Sequence, residues 1–393
     1  MNLQVNTRQK KMKINNLIPA IVMVAACGQS TDHSAEKSLD EMSQTYSFLL
    51  GTYTSTPEQG IHLLEFKPEN GGFNLIATAS EPDNPSFVVS NKDQNLVFSV
   101  EETGGDGGGK VSSFALTDEG LTYINSVSAE GDAPCYLSMD PSERYIVAAN
   151  YSSGNFSLIP IGNDGRLHAA VQVVSHQGSS VHPNRQKQPH AHAALFHPED
   201  SRLLVADLGT DEVVVYDFNP DEEKPLNTEA SFRLKVKPGA GPRHMVFDEA
   251  GEILYLIHEI TAEIGVYRYE DGVLEHLKTY SLLSEGFSGS VGAAEIRLSP
   301  DQKFLYASNR GEANEIIVFQ IDAQGKLKHT QTIESGGLAP RNFNITPDGK
   351  YLITGNQNSN NLLVFSRNPK TGTLSPTEYR FEMHKPVYIN FLP

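Results

Sequence analysis

The chain contains no tryptophan and only two cysteines, and it has 48 Asp and Glu against 31 Lys and Arg, for a net charge of −17. Each scarcity excludes something. Cys27 and Cys135 are too few for a disulfide framework. Neither stands in a Cys-x-x-Cys or Cys/His arrangement that would hold zinc. The acidic balance argues against nucleic acid as a partner, because phosphate binding needs a basic face. It serves solubility instead, and an anionic ligand would have to be met by a local cluster of arginines. Long helical periodicity is missing from residue 48 onward. There is no Gly-x-Ser-x-Gly elbow, and so no serine nucleophile to single out. The stretch Gly104-Gly-Asp-Gly-Gly-Gly-Lys110 resembles a phosphate loop only superficially. Val111 stands where Ser or Thr is needed, and strand patterns rather than a helix follow.

Long apolar runs are scarce too. Leu17-Ile-Pro-Ala-Ile-Val-Met-Val-Ala-Ala26, preceded by Lys10, Lys11 and Lys13, is too short to span a bilayer and reads as the core of an export signal. It ends in Val24-Ala-Ala-Cys27, which resembles a bacterial lipobox. Residues 1–27 are therefore expected to be a lipoprotein signal, with Cys27 the lipidated residue and the lipid anchor the only membrane contact. An ordinary signal peptide with a coincidental cysteine is the other reading, and a cytoplasmic protein follows if the segment is no signal. Residues 28–46 are polar and aperiodic and read as a tether. Cys135, alone among apolar neighbours, is expected to be an inert core thiol.

What the remaining chain has is repetition. Short strand signals recur with turn residues between them. Pro85, Pro134, Pro189, Pro242, Ala293, Pro340 and Pro386 each open a similar unit, at spacings of 49, 55, 53, 51, 47 and 46 residues. Most openings lead into a turn such as Asn91-Lys-Asp, Asp140-Pro-Ser, His197-Pro-Glu-Asp or Ser299-Pro-Asp, then into further apolar strands. A period near fifty with four strands per unit predicts propeller blades. The seventh unit stops at Pro393, and the strand signals after residue 47 supply its missing strands. Residues 47–393 are thus expected to form an all-β, seven-bladed propeller of four-stranded antiparallel blades. One blade is stitched from both ends of the sequence, which leaves no open edge. A ring that closes on itself predicts a monomer.

In such a ring, two sets of positions should converge at one mouth of the central channel. The first follows each opening: Ser86, Cys135, His190 or His192, Arg243, Glu295, Arg341 and Val387. The second is the polar break after each second strand: Thr52-Tyr53, Glu101-Glu102, Asn150-Tyr151, Asp207-Leu208, His258-Glu259, Asn309-Arg310 and Asn356-Gln357. Asparagines there fit turn-capping. The charged residues have no such reason to be present. His190, His192, Arg243, Glu259, Arg310 and Arg341 are the candidate catalytic residues, with Asp207, His244, Glu295, Asn309 and Gln357 as candidate substrate-binding residues. Arginines suit capture of a carboxylate or phosphate, and a Glu or His beside them could move a proton. His190 and His192 could also suggest a metal pair, but Arg243 and Arg341 would repel a cation. The expectation is a site without metal or cofactor that takes a small anionic substrate.

These motifs, Gln188-Pro-His-Ala-His192, Asp207-Leu-Gly-Thr-Asp211, Gly241-Pro-Arg-His244, His258-Glu259, Ser308-Asn-Arg310, Ala339-Pro-Arg341 and Gly355-Asn-Gln357, resemble the seven-bladed propeller lactonase family. Its members include propeller-type 6-phosphogluconolactonases and a fungal carboxymuconate cyclase. The resemblance implies a metal-independent lactonase with a catalytic His at 190 or 192, Arg243, Glu259 and an Arg at 310 or 341. Two further readings stay open: a lactonizing cyclase, and a surface-anchored binding propeller without chemistry.

Overall fold

The computed structural model of the chain describes residues 44–56 and 59–392. The expected export signal, Cys27 and most of the expected tether lie outside the described residues. Among the described residues there are 28 strands in seven four-stranded antiparallel sheets, and no helix. Blade 1 is the stitched one. Strand Tyr46–Thr52 pairs on one side with Ile61–Lys67 and on the other with Pro386–Phe391, in register Phe48↔Phe391 and Leu50↔Ile389. Blades 2 to 7 follow in sequence order, with innermost strands Val88–Ser90, Pro134–Met139, Ala191–Phe196, Pro242–Phe247, Ala293–Leu298 and Pro340–Ile345. Each innermost strand contacts the next around the channel. Pro386–Phe391 contacts Val88–Ser90, which closes the ring.

The local sequence explains the layering. Middle strands are covered by the neighbouring blade on each face, so they read as unbroken apolar runs; Val213-Val-Val-Tyr216 is buried throughout. Outermost strands such as Leu327–Glu334 have a single packed face and are mostly polar. The turn from the innermost to the second strand of a blade is pinned by one acceptor side chain in blades 2, 3 and 5. Asp140 Oδ1 accepts from Tyr145 N at 2.7 Å, Asp248 Oδ1 from Ile253 N at 3.0 Å, and Asn91 Oδ1 from Leu96 N at 2.9 Å. His197 fills the same place in blade 4. Its Nε2–H goes to the Gly251 carbonyl at 2.9 Å, leaving Nδ1 to accept from Asp200 N at 2.8 Å.

Backbone pairing corrects the blade 4 opening. Pro134 pairs with Asn150, Pro242 with His258, Ala293 with Asn309 and Pro340 with Asn356, in each case followed by a bulge. In blade 4 the residue in that register is Ala191, paired with Asp207, rather than Pro189. His192, not His190, therefore follows the opening. In blade 6 the residue after the opening is Ala294, which moves Glu295 one position further down the strand.

Burial carries a pH signature. The side chains of His62, His192, His244 and His258 are all buried. Burial lowers the titration of His62, His244 and His258 to about 4 and pushes His192 well below the ordinary histidine range. The fold holds these rings neutral, whereas unfolded chain takes up protons below about pH 6.5. Their contribution is present above that pH and is lost as pH falls towards 4. Each ring costs up to about 1.4 kcal/mol per pH unit, most steeply around pH 5. The melting temperature is expected to fall steadily between pH 6.5 and 4.5, before most carboxylates titrate. A melting temperature flat over that interval would contradict buried neutral histidines.

Candidate functional site

The bulge after each opening turns the next side chain into the channel mouth. Cys135, His192, Arg243, Ala294, Arg341 and Val387 occupy this position, with Ser86 equivalent in blade 2. A second ring comes from the residue just past each second strand: Tyr53, Glu102, Tyr151, Leu208, Glu259, Arg310 and Gln357. The residue that ends each of those strands does different work. Asn150 Nδ2 donates to the Ala129 carbonyl at 2.8 Å, Asn356 Nδ2 to Ser335 O at 3.2 Å, and Asn309 Oδ1 accepts from Gly292 N at 3.1 Å. Asp207 accepts from the backbone N–H of His190, Gly209 and Thr210 and pairs with His176 Nδ1 at 2.7 Å. Asp207 and Asn309, expected at the substrate, are thus engaged in holding the loops that frame the mouth.

Glu259 is the centre of the mouth. Its Oε2 lies 3.0 Å from both Arg243 Nε and Arg310 Nη2, and its Oε1 lies 2.5 Å from Arg185 Nη2. Burial alone would raise the carboxyl, but the guanidiniums, Arg310 first and Arg243 next, outweigh it and hold the group well below the usual carboxylate range. Arg243 is itself 2 % exposed, and burial together with Arg310 lowers it to about 10. His192 Nε2 stands 3.9 Å from Glu259 Oε2, and the Cys135 thiol packs 3.7 Å from His192 Nδ1. Burial pushes that thiol far up, so it is inert as a nucleophile.

His190 sits just ahead of its strand, half-buried and stacked on Tyr151 with ring centres 4.4 Å apart. Its Nδ1 lies 2.8 Å from the Tyr151 carbonyl, which can only accept. Nδ1 therefore carries the hydrogen, and Nε2 keeps a free lone pair. Across the mouth, Glu102 accepts from Tyr53 Oη at 3.0 and 2.9 Å on its two oxygens and from Ser86 Oγ; Arg341 Nη2 lies 3.8 Å away, its guanidinium over the Tyr53 ring. Gln357 is half-buried in the second ring, beside Arg310 and opposite Tyr151 in blade order.

Sequence reasoning missed Arg185. It arrives on residues 176–190, the longest connection between blades, which crosses the mouth as a strap. Gln186, fully buried, ties the strap to the Leu208 carbonyl at 2.8 Å, and Ser180 ties it to Asp211 at 2.5 Å. A Cβ at Gly209 would collide with the Gln188 carbonyl, so that close crossing requires glycine. Tyr151 Oη, 3.2 Å from Arg185 Nη2, completes the hold. The connection's length was the one signal available.

His244 and Glu295, also expected at the substrate, belong one layer lower. There Phe87, Tyr136, His244, Glu295, Asn342 and Tyr388 meet across the channel and plug it. Phe87 packs on Tyr136 and Tyr388 with ring centres 4.3 and 3.9 Å apart and reaches His244 from the far side at 6.2 Å. Glu295 accepts from Asn342 Nδ2 and lies 3.4 Å from His244 Nδ1. Burial works against its charge, but Arg297 and His244 prevail and lower it to about 2. Below the plug a cavity of about 720 Å³ opens on the opposite face. Among the described residues, no group of three or more His, Cys, Asp or Glu is placed to hold a metal ion.

A family profile described as lactonase, 7-bladed beta-propeller, matches residues 47–391. The chain is 29 % identical over 350 residues to a 6-phosphogluconolactonase of Bacillus subtilis, covering 88 % of this chain and 98 % of the relative. It is 32 % identical over 330 residues to a 6-phosphogluconolactonase of Formosa agariphila, covering 83 % and 93 %. Among solved structures, a periplasmic gluconolactonase of Pseudomonas aeruginosa superposes with a TM-score of 0.85 at 35 % identity, covering 89 % of this chain and 99 % of that one.

Proposed function

The chain belongs to the seven-bladed β-propeller lactonase family, and from that premise we propose that it hydrolyses a sugar-acid lactone in the plugged cup above Phe87 and His244. One observation carries the reading. Four arginines, 185, 243, 310 and 341, converge on a mouth with two carboxylates, which gives a local positive excess in a protein of net charge −17. Such an array suits a small anion and the oxyanion that forms when water adds to the ring ester.

The residues divide the work. Arg243 and Arg310, fixed on Glu259, polarise the lactone carbonyl and meet the developing oxyanion. Arg185, the most exposed of the four, and Arg341, on the opposite side beside Glu102, take an anionic substituent of the substrate. Glu259 is the anchor of the guanidiniums, and three cations leave it little affinity for a proton. The lone pair on His190 Nε2 accepts from a sugar hydroxyl, and neutral His192 fills the wall between Glu259 and Cys135. Arg243 and Arg341 in the same ring disfavour a bound cation, so the reading is metal-free.

The relatives supply the compounds to try. With 6-phosphogluconolactone and gluconolactone side by side, turnover on at least one is expected, unchanged by chelator. No turnover on either sinks the proposal, and turnover lost to chelator sinks its metal-free form. The name of the Pseudomonas relative and residues 10–27 of this chain together support export, with a lipid on Cys27; the closed ring of seven blades supports a monomer. Labelling with a radioactive fatty acid is expected to mark the protein and to fail in Cys27→Ala.

A further inference from the structure

We propose that Glu102, rather than Glu259, is the catalytic carboxylate that takes the proton from water. The inference rests on the lactonase reading above and assigns a residue within it. The two carboxylates occupy equivalent positions past the second strands of blades 2 and 5, and their partners differ in kind. Glu259 contacts guanidiniums on both oxygens, at 2.5, 3.0 and 3.0 Å. A proton arriving there would have to displace a cation from a 6 % exposed group. Glu102 meets one guanidinium, at 3.8 Å, and its close partners are the hydroxyls of Tyr53 and Ser86. Hydroxyls can turn from donor to acceptor as a proton moves; guanidiniums cannot. Glu102 is also more open, with its side chain 16 % exposed against 7 % for Glu259.

The step balances with one carboxyl group. Glu102 accepts a proton from water as the water oxygen bonds to the lactone carbonyl carbon. The tetrahedral oxyanion, held by arginine, collapses and breaks the bond to the ring oxygen. The same proton passes from Glu102 to that oxygen, giving the hydroxy acid and restoring the carboxylate. No oxidant, metal or second substrate is needed.

Glu102→Gln keeps an acceptor for Tyr53 and Ser86, so its melting temperature is expected to match the parent. Its kcat is expected to fall by about 10²–10⁴-fold with KM little changed. The loss of kcat/KM on the acid side of the parent's pH profile should vanish in the residual activity. Tyr53→Phe removes a donor to the ionised carboxylate, which raises its proton affinity. That variant should stay active with the acid limb moved to higher pH, a shift that a merely structural role would not produce. Glu102→Gln with kcat within about a factor of ten of the parent overturns the assignment, as does an unmoved limb in Tyr53→Phe. Parent protein inactive on both lactones instead overturns the lactonase reading itself, so the two failures are distinct.

Discussion

Glu259→Gln is expected to lose both activity and stability, which sets it apart from every other substitution at the mouth. The amide retains the shape of the side chain but removes, among the described residues, the only negative charge within 4 Å of Arg243, a residue almost entirely withdrawn from solvent. Burial and Arg310 already lower the proton affinity of Arg243, as burial and Arg341 lower that of Arg310, and without Glu259 the repulsion among these cations is uncompensated. Breaking a buried pair by removing one partner costs about 3–5 kcal/mol. The lower end applies here, because Arg185 can swing its charge into water. Misplaced guanidiniums should cost on the order of 10²–10³-fold in kcat, as loss of an oxyanion donor does. Thermal melting and steady-state kinetics on the same preparation check both halves. Normal melting with normal turnover would show that the arginines hold their places without the carboxylate.

Removal of residues 386–393 is expected to be more damaging still, although none of them belongs to the proposed chemistry. Val387, Tyr388 and Ile389 are 2 %, 6 % and 0 % exposed. Their burial represents roughly 5–9 kcal/mol as an upper bound, comparable with the whole stability of a typical domain. The loss would also bare the edge of Tyr46–Thr52 and take Tyr388 out of the plug. Insoluble protein, or a soluble form that binds hydrophobic dye and lacks a cooperative melt, is the expected outcome. A truncated chain with parent-like melting would mean that blade 1 closes without its innermost strand.

The fold was legible because its signals repeat. Seven openings, six turns and two complementary ends constrain one another, so an error in any single repeat does not change the blade count. Site residues lack that redundancy. In blade 4 the proline that marks other openings lies two residues early, and only the pairing of Ala191 with Asp207 shows that His192 holds the equivalent position. Glu295 was misplaced by one residue, and a single step along a strand carries a side chain from the mouth to the plug. Asp207 and Asn309 stand in the polar breaks that the sequence marks, but as the last strand residue of each. The last strand residue turns into the sheet to satisfy loop amides, whereas its successor faces the mouth. Arg185 was invisible because the strap has no periodicity; its position follows from Gln186 and Ser180, whose partners are distant in sequence.

The plug of Phe87, Tyr136, His244 and Tyr388 makes the propeller a vessel with one door. Whatever enters past Arg185 must leave by the same route, so substrate and product take turns and cannot pass through in sequence. Opening a lactone creates a carboxylate, and the departing molecule therefore carries one more negative charge than the arriving one. It must exit through the region richest in guanidinium groups. On the proposed reading, the arrangement that draws the ester in also detains the acid, so product escape is expected to limit the cycle alongside bond breaking. The net negative charge of the outer surface, a repulsive backdrop for an anion leaving the cup, favours its final departure into solvent.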